Sequence, residues 1–287
     1  MDCPEGTGSE QRKSMTEIFS SFQTVIEKQL EADFLATGYV IRDVEDQNAL
    51  DGIRAMIVDN CSAYLGDPAP ASLQEYLDNI SSKLEADHLN ALRLDLLSGM
   101  QNASWLRAAY YSLARDVLEA LVGNELAMQK NINLSIQLPG DESSLLPVHA
   151  DVLNGDSPFE VVLWVPLVDC HATKSMYILS PERNTEVLAQ LGDFSHKTSE
   201  DLFHAVKDDV TWLTVPYGSY IIFSQNLLHG NRVNEESKTR WSMNCRFKSL
   251  LSPYADKKFG EFFEPITLRP ATRLGLTFRA PVAFNDE

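Results

Sequence analysis

Three side chains in this sequence could share one metal ion. His149 and Asp151 stand two apart in Leu146-Pro147-Val148-His149-Ala150-Asp151, and His229 follows much later in Leu228-His229-Gly230. On an extended strand, residues two apart face the same side, so His149 and Asp151 can offer an imidazole nitrogen and a carboxylate oxygen to one ion. His229 completes the set. Two histidines and one carboxylate on one face of an ion, with the opposite face open, form the facial arrangement of non-haem Fe(II) sites. A His-x-Asp triplet alone is common and usually marks a surface loop. Its weight here comes from position. The triplet opens a run of strand-like segments, and His229 follows Ile221-Ile222-Phe223-Ser224 near the other end of that run.

Eleven residues beyond His229 comes Arg240, within Thr239-Arg240-Trp241-Ser242. A guanidinium gives a carboxylate two parallel charge-assisted hydrogen bonds, so Arg240 can fix the far end of a dicarboxylate whose near end chelates the metal. Ser242 points the same way along the strand and can add a third, and the alternation continues through Asn244 and Arg246. The opposite face carries Trp241, Met243, Cys245 and Phe247. A polar strand face is either solvated or serves a ligand, because burying it without partners is costly. Gln137 shares a strand face with Ser135 and Asn133 and can reach a co-substrate from the neighbouring strand; a solvent-facing edge position accounts for it nearly as well. Arg240, Ser242 and Gln137 are therefore the candidate cofactor-binding residues. Asn244, Arg246 and Trp164 are the candidate substrate-binding residues, although filling the core is the simpler role for Trp164. His88, His171, His196 and His204 read as surface or packing residues, His171 being the one whose loop position could bring it to substrate.

As a set, His-x-Asp, a distant His and Arg-x-Ser resemble the ligand and co-substrate pattern of the 2-oxoglutarate-dependent Fe(II) oxygenases. The stretch 149–179 is also similar to a smaller group of these enzymes, through Asn154-Gly155-Asp156-Ser157-Pro158-Phe159-Glu160, Leu163-Trp164-Val165-Pro166-Leu167 and Ser175-Met176-Tyr177-Ile178-Leu179. That group is the streptomycin-biosynthesis-protein-like family of bacterial carbohydrate and aminoglycoside-type gene clusters. The likeness covers the second half of the chain, the first half matching only in general layout. It implies Fe(II) held by His149, Asp151 and His229, with 2-oxoglutarate and O2 as co-substrates and Arg240 gripping the distal carboxylate. The implied reaction is oxidation, most simply hydroxylation, of a C–H bond in a sugar, cyclitol or related polar metabolite. Asp151 stands where halogenating relatives carry a small residue, so no ligand position is vacated for halide. The alternative is a non-catalytic jelly-roll module that binds a sugar or small acid.

The elements that must position these side chains follow from periodicity. A chain of 287 residues, 44% hydrophobic, can bury a sizeable core. No long linker interrupts it, which favours a single domain over 14–287 behind a loose tail at 1–13. Helical spacing begins near Ser14, with Met15, Ile18, Phe19, Phe22, Ile26 and Leu30 on one face, stops at Gly38, and gives way to a strand at Tyr39-Val40-Ile41. Residues 46–123 are mainly helical, broken at Gly66-Asp67-Pro68-Ala69-Pro70, with Ser72 as an N-cap. Strands are expected at 131–138, 148–152, 159–167, 176–179, 210–215, 219–223 and 239–247, separated by turn signals. Helices over 14–130 and strands over 131–250 predict an α+β fold, a double-stranded β-helix (jelly roll, cupin-like) with N-terminal packing helices. Residues 251–287 would form a C-terminal cover.

The formal charge of -17 repels phosphate backbones and anionic lipid, so a small molecule is a better partner than nucleic acid or a membrane. Cys3, Cys61, Cys170 and Cys245 form no CxxC pair and suggest neither a disulfide framework nor a zinc knot. Reduced thiols, no signal-peptide pattern at the N-terminus and no apolar run long enough for a bilayer together predict a cytoplasmic protein.

Overall fold

The computed structural model describes residues 22–279. The expected tail at 1–13, Cys3 and the opening helical turns with Met15, Ile18 and Phe19 lie outside the described residues. Helix α1 (Val25–Thr37) starts at a reciprocal capping box between Thr24 and Glu27 and ends where Gly38 turns left-handed. Its expected apolar face is used only in part. Leu30 enters the core with Phe34 packed against it, while Phe22 and Ile26 are exposed.

Strand β1 (Tyr39–Asp43) precedes five further helices, α2 (Gln47–Leu65), α3 (Leu73–Asp78), α4 (Ala86–Asn102), α5 (Leu106–Ser112) and α6 (Arg115–Val122). Ser72 caps α3 as expected, accepting from the Glu75 amide. Apolar residues recur at helical spacing, Leu50, Ile53 and Ile57 on α2 and Leu89, Leu92, Leu96 and Met100 on α4, and that stripe is what each helix buries. Tyr110 of α5 is fully buried, with its hydroxyl 2.9 and 3.2 Å from the carbonyl oxygens of Leu163 and Met243. It fastens the helical layer to two central strands.

The remaining elements are β2 (Leu126–Gln129), β3 (Asn133–Gln137), β4 (Glu160–Pro166), β5 (Tyr177–Leu179), α7 (Pro181–Ala189), α8 (Ser199–Val206), β6 (Val210–Trp212), β7 (Ser219–Ser224), β8 (His229–Gly230), β9 (Arg240–Ser249), β10 (Phe263–Pro265) and α9 (Pro270–Thr277). They make two antiparallel sheets, a larger one in the order β1-β7-β4-β9-β2-β10 with β3 also on β9, and a smaller one in the order β6-β5-β8. Strand β9 is the keystone. On one edge it pairs with β4, and on the other with β3 and then β2. Its alternation is the expected one: Trp241, Met243, Cys245 and Phe247 are fully buried in the main core. Arg240, Ser242, Asn244 and Arg246 therefore share the other face. A second apolar cluster, including Tyr177, Leu179, Val187, Leu202 and Leu228, packs α7 and α8 on the smaller sheet.

The strand expected at 148–152 does not form. His149 makes an isolated bridge, and a 3-10 turn, Asp151–Asn154, follows at once, ended by Gly155 in the left-handed region. Strands β2, β8 and β10 were not anticipated; β10 pairs with β2 and so extends the larger sheet with residues from the expected C-terminal cover. Among the described residues no helix is long and apolar enough to cross a membrane. Cys61, Cys170 and Cys245 are free and buried.

One buried ion pair sets the start of β9. Lys174, in the connection between β4 and β5, lies 2.6 Å from Asp78 at the end of α3. The Asp78 carbonyl accepts from the Thr239 amide, and the Leu77 carbonyl from the Trp241 indole. Removing Lys174 leaves a buried carboxylate with Lys238 at 3.7 Å. Lys174→Ala is expected to cost about 3 kcal/mol in urea denaturation; a loss under about 1 kcal/mol, the size of a surface pair, contradicts this role.

Candidate metal centre

His149 and His229 lie opposite one another. The His149 amide donates to the His229 carbonyl at 3.0 Å, and the His229 amide to the His149 carbonyl at 2.8 Å. This reciprocal pair sets the two rings side by side, with centroids 4.4 Å apart. Each ring is also turned the same way. His149 Nδ1 is 2.8 Å from the Pro147 carbonyl and His229 Nδ1 is 2.8 Å from the Leu227 carbonyl. In the neutral rings Nδ1 therefore carries the proton and Nε2 is the free donor atom.

Asp151 reaches this point from the first residue of the 3-10 turn, with Oδ1 3.3 Å from His149 Nε2. One ligand atom from each of His149, Asp151 and His229 lies within 4.8 Å of the others. The other carboxylate oxygen of Asp151 is held by Arg246 Nη2 at 2.8 Å, and Arg246 Nε lies 3.3 Å from Asp156. Arg246 thus aims the Asp151 carboxylate while Asp156 steadies the guanidinium.

Two of the three charge states suit a metal. Burial resists ionisation of Asp151, but the hydrogen bond with His149 and the charges of His229 and Arg246 bring its pKa down to about 2. Burial, with His149 alongside, brings His229 down to about 4. Burial also opposes a His149 cation, yet the hydrogen bonds to Asp151 and to the Pro147 carbonyl outweigh it and hold this imidazole above 6.5.

A cavity of about 440 Å³ opens beside the triad. Its wall includes Arg240, Asn244, Arg246 and Trp164, so four of the expected co-substrate and substrate residues meet the triad there. Trp164 is both core and wall, being 5% exposed. The Asn244 side-chain carbonyl accepts from the Asn133 amide at 2.9 Å. Arg240 is 4% exposed and donates to the Ser175 carbonyl at 3.0 Å and the Ser135 hydroxyl at 2.9 Å. Its Nε has no partner, and no carboxylate of the described residues lies within 4.0 Å of it. Burial pulls its pKa down to about 10, so it remains a cation at neutral pH. A buried cation served only by neutral acceptors is unfavourable unless an anion joins it.

Ser242 and Gln137 are placed differently. Both are fully buried and neither lines the cavity. Gln137 donates from Nε2 to the Arg232 carbonyl at 2.6 Å, and the Ser242 hydroxyl has no partner. His88, His171, His196 and His204 are all exposed and off the wall. No described residue beyond Arg246 contributes to the wall; among the described C-terminal residues Arg269 lies on Glu119 and Thr272 on Glu125. Arg93, Ser143, Ser144, Met176 and Phe223 line the cavity without having been expected there. Arg93 sits among the apolar residues of α4, where helical spacing gives no sign that one arginine crosses to the sheet.

No family model matches the sequence, and no curated protein matches it. Among solved structures the chain is similar to a non-haem monooxygenase, the ThoJ–nickel complex, with a TM-score of 0.52 and 16% identity over 85% of each chain. It is also similar to EctD from S. alaskensis with bound Fe, with a TM-score of 0.49 and 15% identity over 79% of this chain and 78% of that one. A third is HygX from Streptomyces hygroscopicus with nickel and 2-oxoglutarate bound, with a TM-score of 0.47 and 12% identity over 79% of this chain and 88% of that one. At these identities the likeness is one of fold.

Below its raised pKa His149 carries a proton that metal must displace, whereas His229 and Asp151 are already deprotonated above pH ~5. Ni(II) affinity measured by calorimetry should therefore fall about tenfold per pH unit below the raised His149 pKa and level off above it. A two-proton slope between about pH 5 and 7 contradicts these charge states. Arg246→Ala, which releases the second oxygen of Asp151, should weaken Ni(II) binding roughly 10- to 100-fold, and an unchanged affinity would show that the ion pair does not orient the ligand.

Proposed function

We propose that this chain is an Fe(II)- and 2-oxoglutarate-dependent oxygenase, built on a double-stranded β-helix, that oxidises a C–H bond of a small polar metabolite. The observation that carries this reading is the pairing of a His-Asp-His donor set with a buried, counter-ion-free arginine on the same cavity wall. Two imidazole nitrogens and one carboxylate oxygen fit Fe(II) with part of its coordination left open, and zinc in a closed structural site would ask for a fourth protein ligand. The fold likeness to a non-haem monooxygenase supports the same reading.

His149, Asp151 and His229 would hold the ion, which with 2-oxoglutarate and O2 supplies the oxidising chemistry. Every other task falls to the chain. Arg240 grips the distal carboxylate of the co-substrate, its guanidinium oriented by Ser135 and the Ser175 carbonyl. Arg246 keeps one Asp151 oxygen occupied so that the other is free for the ion. Trp164 and Phe223 exclude water from the reacting carbon. Asn244, in its amide pair with Asn133, offers hydrogen bonds to substrate hydroxyls. Gln137 and Ser242 act through the wall, as buried neighbours of Arg240 on β3 and β9. We assign the chain to the neighbourhood of the streptomycin-biosynthesis-protein-like group, with a sugar or cyclitol skeleton as the substrate, on the sequence run 149–179.

Succinate release from 2-oxoglutarate, with Fe(II) under air, tests the proposal. The wild-type chain should release succinate, and His149→Ala should abolish it. Arg240→Ala should raise the 2-oxoglutarate requirement at least about tenfold while Ni(II) binding is retained. Absence of both Fe(II) binding and succinate release would favour a non-catalytic module that binds a sugar or small acid.

A further inference from the structure

Three arginines line the cavity, and two have a task. Arg246 is paired with Asp151 and Asp156, and Arg240 is poised for the co-substrate. Arg93 has neither. It leaves α4 beside the buried Leu92 and reaches the edge of β3 that, among the described residues, pairs with no strand. There Nη2 donates to the Ile136 carbonyl and to the Ser144 hydroxyl, each at 3.2 Å. Its Nε is buried without a partner, and Nη1 makes no hydrogen bond or ion pair with any described residue. The carboxylate whose charge acts on Arg93 is Asp141, but its oxygens accept from the Ser143 amide and the Ser143 and Ser144 hydroxyls, and only the Ser144 hydroxyl links the two.

Pinning the loop to β3 explains only the Nη2 contacts, which an uncharged amide could also make. It does not explain a cation on the wall of a cavity whose only carboxylate among the described residues, Asp151, is already committed. The chain as a whole carries -17, so the surface repels anions; only a local cluster of guanidinium groups would admit them. Nη1 of Arg93 is a free donor, and a guanidinium matches a planar or tetrahedral oxyanion.

We propose that Arg93 anchors an anionic group of the substrate, a carboxylate or a phosphate, and so makes the cavity selective for anionic over neutral metabolites. This rests on the oxygenase reading, in which Arg240 is occupied by 2-oxoglutarate.

The test titrates acetate and inorganic phosphate, at constant ionic strength, into Ni(II)-loaded protein saturated with 2-oxoglutarate, read by calorimetry. Saturable binding of at least one oxyanion is expected, the tighter one naming the group. R93Q should weaken it about tenfold or more and leave the 2-oxoglutarate affinity within about threefold. R93K, which keeps the charge but loses the planar guanidinium, should bind more weakly than the wild type and more tightly than R93Q. S144A, which removes the hydroxyl that accepts from Arg93 and donates to Asp141 but keeps the cation, should lose far less binding than R93Q, and these two variants decide the matter if R93Q does not fold. No saturable binding, equal binding by R93Q, or an equal loss in S144A overturns the proposal. So does a 2-oxoglutarate defect in R93Q as large as that in R240Q, because both arginines would then serve the co-substrate. If the wild-type chain binds no 2-oxoglutarate, the oxygenase reading fails separately; phosphate titrated into R240Q and into R240Q/R93Q then tests Arg93 alone, with loss expected only in the double variant.

Discussion

The reciprocal backbone hydrogen bond between His149 and His229 is the constraint on which the rest depends. It is one rung of an antiparallel ladder, yet it fixes the positions from which both imidazoles must start. Strand β5 backs it from the other side, with Ile178 opposite His229. Glycine is required next to it. A Cβ at Gly230 would lie 2.7 Å from the Tyr177 hydroxyl and 2.8 Å from the Leu146 carbonyl, inside the distance any side chain tolerates. The close approach that brings β8 to the His149 segment therefore needs the sequence Leu228-His229-Gly230. Asn231 secures the same junction, accepting from the Leu146 amide at 2.6 Å and donating to the Ser144 carbonyl at 3.3 Å.

Around that rung the fold treats buried charge in two ways. Away from the cavity, two buried lysines are closed into pairs, Lys174 with Asp78 at 2.6 Å and Lys248 with Glu160 at 3.9 Å. On the cavity wall, Arg240 and Arg93 are left with neutral acceptors and unpartnered Nε atoms. Leaving a buried cation unpaired is unfavourable in the free protein and becomes favourable when an anion arrives. The same asymmetry holds at the triad. Arg246 satisfies one oxygen of Asp151 and leaves the other facing two imidazole nitrogens.

Much of this was legible from residue types and spacing. The alternation of β9 could be read because one face packs into the main core and the other lies toward the cavity, so apolar and polar residues separate cleanly. The triad was legible as chemistry rather than as geometry. His149 and Asp151 were placed on one strand, and they meet instead because the chain turns sharply after Ala150. Period-two patterning tells which face a residue takes but not how deep it lies, which is why Gln137 and Ser242 fall behind the wall while Asn244 and Arg240 reach it. Arg93 was illegible for a related reason, since its role depends on where α4 crosses β3, a tertiary fact. Strands β2 and β10 pair with distant partners, Met128 with Phe247 and with Glu264, and carry no local signal of that pairing.

The central claim is that one Fe(II) sits among His149, Asp151 and His229. Anomalous diffraction at the iron edge, from crystals loaded with Fe(II) under argon, tests it most directly. The account predicts one strong peak bounded by Nε2 of each histidine and one oxygen of Asp151, with no fourth protein ligand. A peak elsewhere, a fourth side chain closing the coordination, or no peak at saturating Fe(II) would contradict it.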